Sequence, residues 1–146
     1  MMKKFTFVLL SFCILLFADT EYADPKPSID NPRQIVFSVT EGSPHALDHI
    51  LSVANNVLKF YGPEKVEMKI VAYSQGIKLL VKNNSYENAI RVDALMQYDV
   101  EFIACGNTMR TLKIKKEDLI EGSIIVTAGV VELLESVKAG WIYIKP

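Results

Sequence analysis

Hydrophobic residues are laid out along this chain in three textures. The first is a solid block near the start: Phe5 to Phe17 is apolar except for Thr6 and Ser11. The second is the short β-branched run of strand length. Gln34–Val39 (QIVFSV), Val66–Ala72 (VEMKIVA), Val100–Cys105 (VEFIAC), Ser123–Val126 (SIIV) and Trp141–Ile144 (WIYI) are of this kind. The third recurs every three or four positions, the period of a helix with one buried face. Leu47, Ile50, Leu51, Ala54, Leu58 and Tyr61 form the longest such series. Ala89, Val92, Leu95 and Met96 form a second, and Val130, Val131, Leu133, Leu134 and Val137 a third.

Punctuation residues agree with this division. Ser43 followed by Pro44 reads as an N-cap with proline at the first helical position, and Gly62-Pro63 stops that helix. Tyr73-Ser74-Gln75-Gly76 leads into a short helix ending near Asn83-Asn84. Ser85 caps the next helix, which Asp99 closes. A short helix or turn follows from Asn107, then a charged stretch from Lys113 to Asp118. Thr127-Ala128-Gly129 opens the last helix and Gly140 ends it. Strands separated by helices of this length predict an α/β fold with a mostly parallel sheet covered on both faces. Right-handed crossovers place every strand-to-helix loop at one edge of such a sheet, the edge where open α/β sheets bind ligands.

The N-terminal block changes the picture of where this domain works. Lys3 and Lys4 precede it, Ala18 follows with Leu16 two positions earlier, and Ala23 is a second small residue downstream. A basic start, a short apolar core and a small residue make a cleavable signal peptide, and the run falls short of the ~20 residues a membrane span needs. Cleavage is expected after Ala18, or as late as Ala23, with an uncleaved anchor as the alternative. A lipoprotein signal is disfavoured because bulky Phe12 precedes Cys13. The expected location is the periplasm or the exterior, with no membrane attachment after cleavage. Residues 19–33, with Pro25, Pro27 and Pro32, read as a linker, and 34–146 as one domain.

Charge excludes one large class of function. Sixteen Lys and Arg face 17 Asp and Glu for a net charge of −1, and the basic residues are scattered. No nucleic-acid partner is expected of such a chain. No Ser-His-Asp spacing, phosphate-binding glycine loop or paired carboxylate is present, and no cofactor is expected. Of the two cysteines, Cys13 leaves with the signal, so Cys105 is the single thiol of the mature chain and has no intramolecular partner.

Cys105 is the leading candidate for chemistry because it ends a predicted strand and Gly106-Asn107-Thr108 turns the chain into the next element. Backbone N–H groups at such a turn favour the thiolate, which is the nucleophilic form. The alternative is a small buried side chain finishing a strand. Asn107 and Thr108, with Thr127 and Gly129 from the loop after the fourth strand, would line the pocket beside it. Thr40, Glu41 and Ser43 follow the first strand, and Tyr73, Ser74 and Gln75 the second, at the same edge. His45 and His49 stand four apart on the first helix, a spacing that supplies two metal ligands. Together with Asp48, Asn55 and Lys59 they read more simply as a solvated face, so no metal is expected.

The string Val100-Glu101-Phe102-Ile103-Ala104-Cys105-Gly106-Asn107-Thr108-Met109 resembles the central motif of the DsrE/DsrF-like proteins. Val126-Thr127-Ala128-Gly129-Val130-Val131-Glu132-Leu133 and the closing Gly140-Trp141-Ile142-Tyr143-Ile144-Lys145-Pro146 are similar to the end of that domain. The resemblance spans Gln34 to Pro146. It implies a three-layer α/β/α flavodoxin-like domain with a mainly parallel five-stranded sheet, homo-oligomers and a sulfur relay, in which a cysteine carries persulfide sulfur between a donor and an acceptor, either a protein or a small thiol. That role falls on Cys105, with Gly106, Asn107, Thr108, Thr127 and Gly129 around it. The alternative function is a non-catalytic, oligomeric small-ligand-binding protein with a structural cysteine.

Overall fold

The computed structural model describes residues 19–146. The expected signal peptide lies outside the described residues. Five strands form one sheet: β1 (Arg33–Val39), β2 (Val66–Ala72), β3 (Glu101–Cys105), β4 (Ile124–Val126) and β5 (Ile142–Ile144). Every pairing is parallel and the order is β4-β3-β2-β1-β5. Four helices join them: α1 (Pro44–Tyr61), α2 (Tyr86–Met96), α3 (Gly106–Leu112) and α4 (Gly129–Lys138).

The order of strands explains which face each helix takes. From β1 to β4 the chain steps along the sheet in one direction, and right-handed crossovers then lay their helices on one face. The apolar stripes of α1 and α2 meet Ile35, Phe37 and Val39 of β1, Met68 and Ile70 of β2 and Phe102 of β3 there, and Met109 of α3 joins the same cluster. From β4 the chain reverses to reach β5 on the far side of β1, so the same handedness puts α4 on the opposite face. Leu133 of α4 packs there against Val36, Val71 and Ile103, with Tyr73, Val126 and Trp141 at the margin. Lys69 reaches from β2 to Glu132 of α4 at 2.8 Å, and its ammonium stands 4.6 Å from the Trp141 ring centroid.

Several boundaries depart from the sequence pattern. β3 begins after Val100, because Asp99 adopts a left-handed conformation (φ 60°) that turns the chain into the strand. β4 and β5 each lose their first expected residue, Ser123 and Trp141. The helix expected after Gly76 is a 3₁₀ helix over Ser74–Leu80. Gly76 is pinned to the end of β1: its N–H donates to the carbonyls of Thr40 and Tyr73, and a Cβ there would lie 2.1 Å from the Val39 carbonyl oxygen. The proline-bearing segment 19–33 has no helix of its own, yet it returns to the domain. Tyr22 packs at 5.4 Å and 5.6 Å from the rings of Phe60 and Tyr61, and Arg33 binds the Ala23 carbonyl.

Among the described residues no helix is long and apolar enough to cross a membrane.

Candidate functional site

All five strands end at one edge, and Cys105 is the last residue of the third. Alternation along β3 points Phe102 and Ala104 toward α1 and α2, and Ile103 and Cys105 toward α4. The first turn of α4 lies directly over the cysteine. A Cβ on Gly129 would stand 3.1 Å from Val71 Cγ1, 3.3 Å from Cys105 Cβ and 3.5 Å from Tyr73 Cβ. Glycine at 129 is what allows this approach, and it brings the Gly129 N–H onto the sulfur. Gly106 does the same for β4: a Cβ there would lie 2.8 Å from the Val126 carbonyl oxygen. The Asn107 N–H, 3.1 Å from the Thr127 carbonyl oxygen, holds the turn against that strand.

Two opposed effects set the ionisation of Cys105. Burial is the largest and pushes the thiol up, since only 5% of the residue is exposed. Against it work hydrogen bonds from the Gly129 N–H, the Thr108 hydroxyl, the Thr108 N–H and the Asn107 N–H. Together they win, and the thiol sits below its ordinary range. Donors from two loops hold the sulfur in a fixed orientation and favour its thiolate, the nucleophilic form.

The Thr108 hydroxyl is itself oriented. Its oxygen accepts the backbone N–H of Ser74 at 3.0 Å, which leaves its proton directed at sulfur. Ser74 makes this bond from a left-handed backbone conformation, φ 53°, which is unusual for a residue with a side chain. Ser74, Gln75, Asn107, Thr108, Thr111 and Leu112 line a cleft of about 280 Å³ beside the cysteine loop. Tyr73 stands on the other side; its phenol is raised by burial first, then by the neighbouring Tyr143 and Cys105. Tyr143 is in turn 2.8 Å from the Ser38 hydroxyl.

Of the residues picked out from sequence, Gly106, Asn107, Thr108 and Gly129 surround the sulfur. Thr127 contributes its backbone carbonyl to the turn, while its side chain is exposed. Asn107 keeps its side-chain oxygen on Arg110. Ser74 had been read only as loop lining; a Tyr-Ser-Gln-Gly loop does not reveal that its amide orients a hydroxyl far away in sequence. His45 and His49 are not part of this site. They sit on α1, on the other side of the sheet, with parallel rings 6.2 Å apart. Among the described residues no three His, Cys, Asp or Glu side chains converge, so His45 and His49 are joined by no third ligand of these types, Cys105 included.

Residues 34–146 match the model of the DsrE/DsrF-like family. The chain belongs to that family. Among solved structures, it is similar to the protein of unknown function MTH1491 from Methanobacterium thermoautotrophicum. That likeness has 30% identity and a TM-score of 0.73, and covers 78% of this chain and 99% of that one. It also shares its fold with the ychN protein from E. coli, at 15% identity and a TM-score of 0.64 over 78% of this chain and 99% of that one. A comparison with curated proteins gives no match. The DsrE-like architecture was thus correctly anticipated, and it attaches the chain to a family related to sulfur relay.

Proposed function

We propose that this protein is an exported sulfur carrier in which Cys105 accepts and releases sulfane sulfur. The observation that carries the reading is the set of four donors that hold the Cys105 thiol below its ordinary range despite its burial. In the first half-reaction the thiolate attacks the outer sulfur of a donor persulfide, R–S–SH. The donor's S–S bond breaks, a new one forms at Cys105, and the donor leaves as R–S⁻, so no external oxidant is needed. The product is Cys105–S–SH, and the same donors stabilise its terminal sulfur as an anion. An acceptor thiolate reverses the step. A donor or acceptor, small thiol or protein, would approach along the cleft beside Ser74 and Thr108.

The working form is a homo-oligomer. α4 buries Gly129, Leu133 and Ser136 against the sheet, but its outward side carries Val130, Val131, Leu134 and Val137, with Leu134 61% exposed. A helix that is apolar on both sides belongs in an interior. Ile142, Tyr143 and Ile144 of the edge strand β5 are exposed as well. A second copy of the chain covering α4 and β5 would bury both.

One measurement tests the carrier reading. Protein taken from the envelope of its own host should have an intact mass starting at Asp19 or Asp24. After a persulfide donor is added it should gain the mass of one sulfur atom, removed by cyanide and absent in Cys105→Ser. A native thiol that takes no sulfur from any donor, and reacts only after denaturation, would leave the structural role and the ligand-binding alternative.

A further inference from the structure

The topology creates a second crevice, away from the cysteine. β5 lies beside β1 in the sheet, so the residues after β5 run past the loop that leads from β1 into α1. Open α/β sheets bind ligands outside the carboxyl ends of their strands. A cavity of about 220 Å³ lies there. Ser38, Thr40 and Glu41 from the end of β1, His45 and His49 from α1, and Lys145 after β5 contribute its polar lining.

These are the only two histidines in the chain, and both face one cavity. Their rings are nearly parallel, 8° apart in plane, and both line the same cavity. Lys145 adds a positive charge, and α1, 18 residues long, begins at the same mouth. Asp48, between the histidines, is engaged by Arg91 and is not part of the lining. Glu41 is the single acidic side chain in the lining. The space equals that of about seven water molecules, which limits the ligand to a small molecule.

The geometry points to a binding site for a small carboxylic acid that carries a hydrogen-bond donor next to its carboxylate, the class of α-hydroxy and α-amino acids. The carboxylate lies against Lys145 and the two imidazoles, and the neighbouring hydroxyl or ammonium donates to Glu41. Cys105, at the end of β3, takes no part in this site, whose lining comes from β1, α1 and the residues after β5.

Lactate and propionate make a direct test, because they differ only by the hydroxyl. Imidazole proton resonances of the full mature chain are followed while each acid is added at the millimolar level. Lactate should shift the signals of both histidines saturably and bind about fivefold or more tightly than propionate, as expected for a hydrogen bond to a charged acceptor. Glu41→Gln should remove that difference, Lys145→Gln should weaken both acids, and Cys105→Ser should change neither. Glu41 and Lys145 are exposed, and circular dichroism checks that each of the three variants is folded. No saturable response, or equal affinity for the two acids, would overturn the assignment. A response of both histidines to micromolar zinc with none to lactate would replace it by a metal site.

Discussion

Replacing Thr108 by valine removes one hydroxyl at nearly constant shape, and the structure fixes what is lost. The hydroxyl donates to the Cys105 sulfur and accepts the Ser74 N–H at 3.0 Å. A hydrogen bond to an ionised group contributes about 1.5–3 kcal/mol. The low end applies beside an open cleft, and about 1.4 kcal/mol corresponds to a tenfold smaller thiolate population at a pH below the titration range. A more basic thiolate is also a better nucleophile, with a Brønsted coefficient near 0.4–0.5, which returns about threefold. The alkylation rate of Thr108→Val with iodoacetamide should therefore fall about three- to fourfold at low pH, and its pH profile should move to higher pH. Burial of the thiol slows wild type and variant alike, so the ratio survives. Thr108→Ser, which keeps the hydroxyl, should restore the profile, and Cys105→Ser sets the background. Superimposable profiles for valine and threonine would refute the role given to this hydroxyl, and with it the reason for the Ser74 conformation.

Cys105 also predicts a pH dependence of stability. Its folded-state ionisation is held below the ordinary range, so the stabilisation is complete above the unfolded thiol value and disappears as pH falls through the folded one. Urea unfolding at a series of pH values should show wild type gaining on Cys105→Ser as pH rises through that window; a constant difference would deny the thiolate. Gly129→Ala places a methyl 3.1 Å from Val71 Cγ1 and 3.3 Å from Cys105 Cβ, and such overpacking costs about 1–3 kcal/mol. Lifting α4 should also withdraw the Gly129 N–H from the sulfur and move the alkylation profile to higher pH; a variant as stable as wild type with an unmoved profile would mean that the helix does not hold this donor on the thiol. Leu134→Glu puts a charge on the exposed apolar side of α4 and should convert the proposed homo-oligomer to monomers in light scattering. A wild-type chain that is already monomeric at micromolar concentration would remove the oligomer.

The elements themselves were legible from local pattern. A run such as QIVFSV carries only Gln34 and Ser38 as polar side chains and is apolar on its other face and at Val36, which suits an inner strand, and β1 is buried along Ile35–Val39. The α1 stripe announced most of its buried face: Leu47, Ile50, Leu51, Ala54 and Leu58 bury, while Tyr61 at its end is only half-buried. The position of Cys105 at a strand end before a turn was equally local, as was the glycine at 129. Strand order was not, because hydrophobic period carries no record of neighbours. That β5 lies beside β1 follows from the return of α4 across the opposite face. The same return separates the histidines from the cysteine and places them at a crevice of their own. The 3₁₀ turn over Ser74–Leu80 was hidden for a related reason: apolar spacing there suits a helix, and only the contact of Gly76 with the end of β1 forbids the wider turn. The bond from Ser74 to Thr108 joins residues 34 apart, and neither side chain type signals it. Local side-chain chemistry decides which segments become strands and helices. Which donors meet at one sulfur depends on strand parity and crossover direction, and those exist only once the sheet has formed.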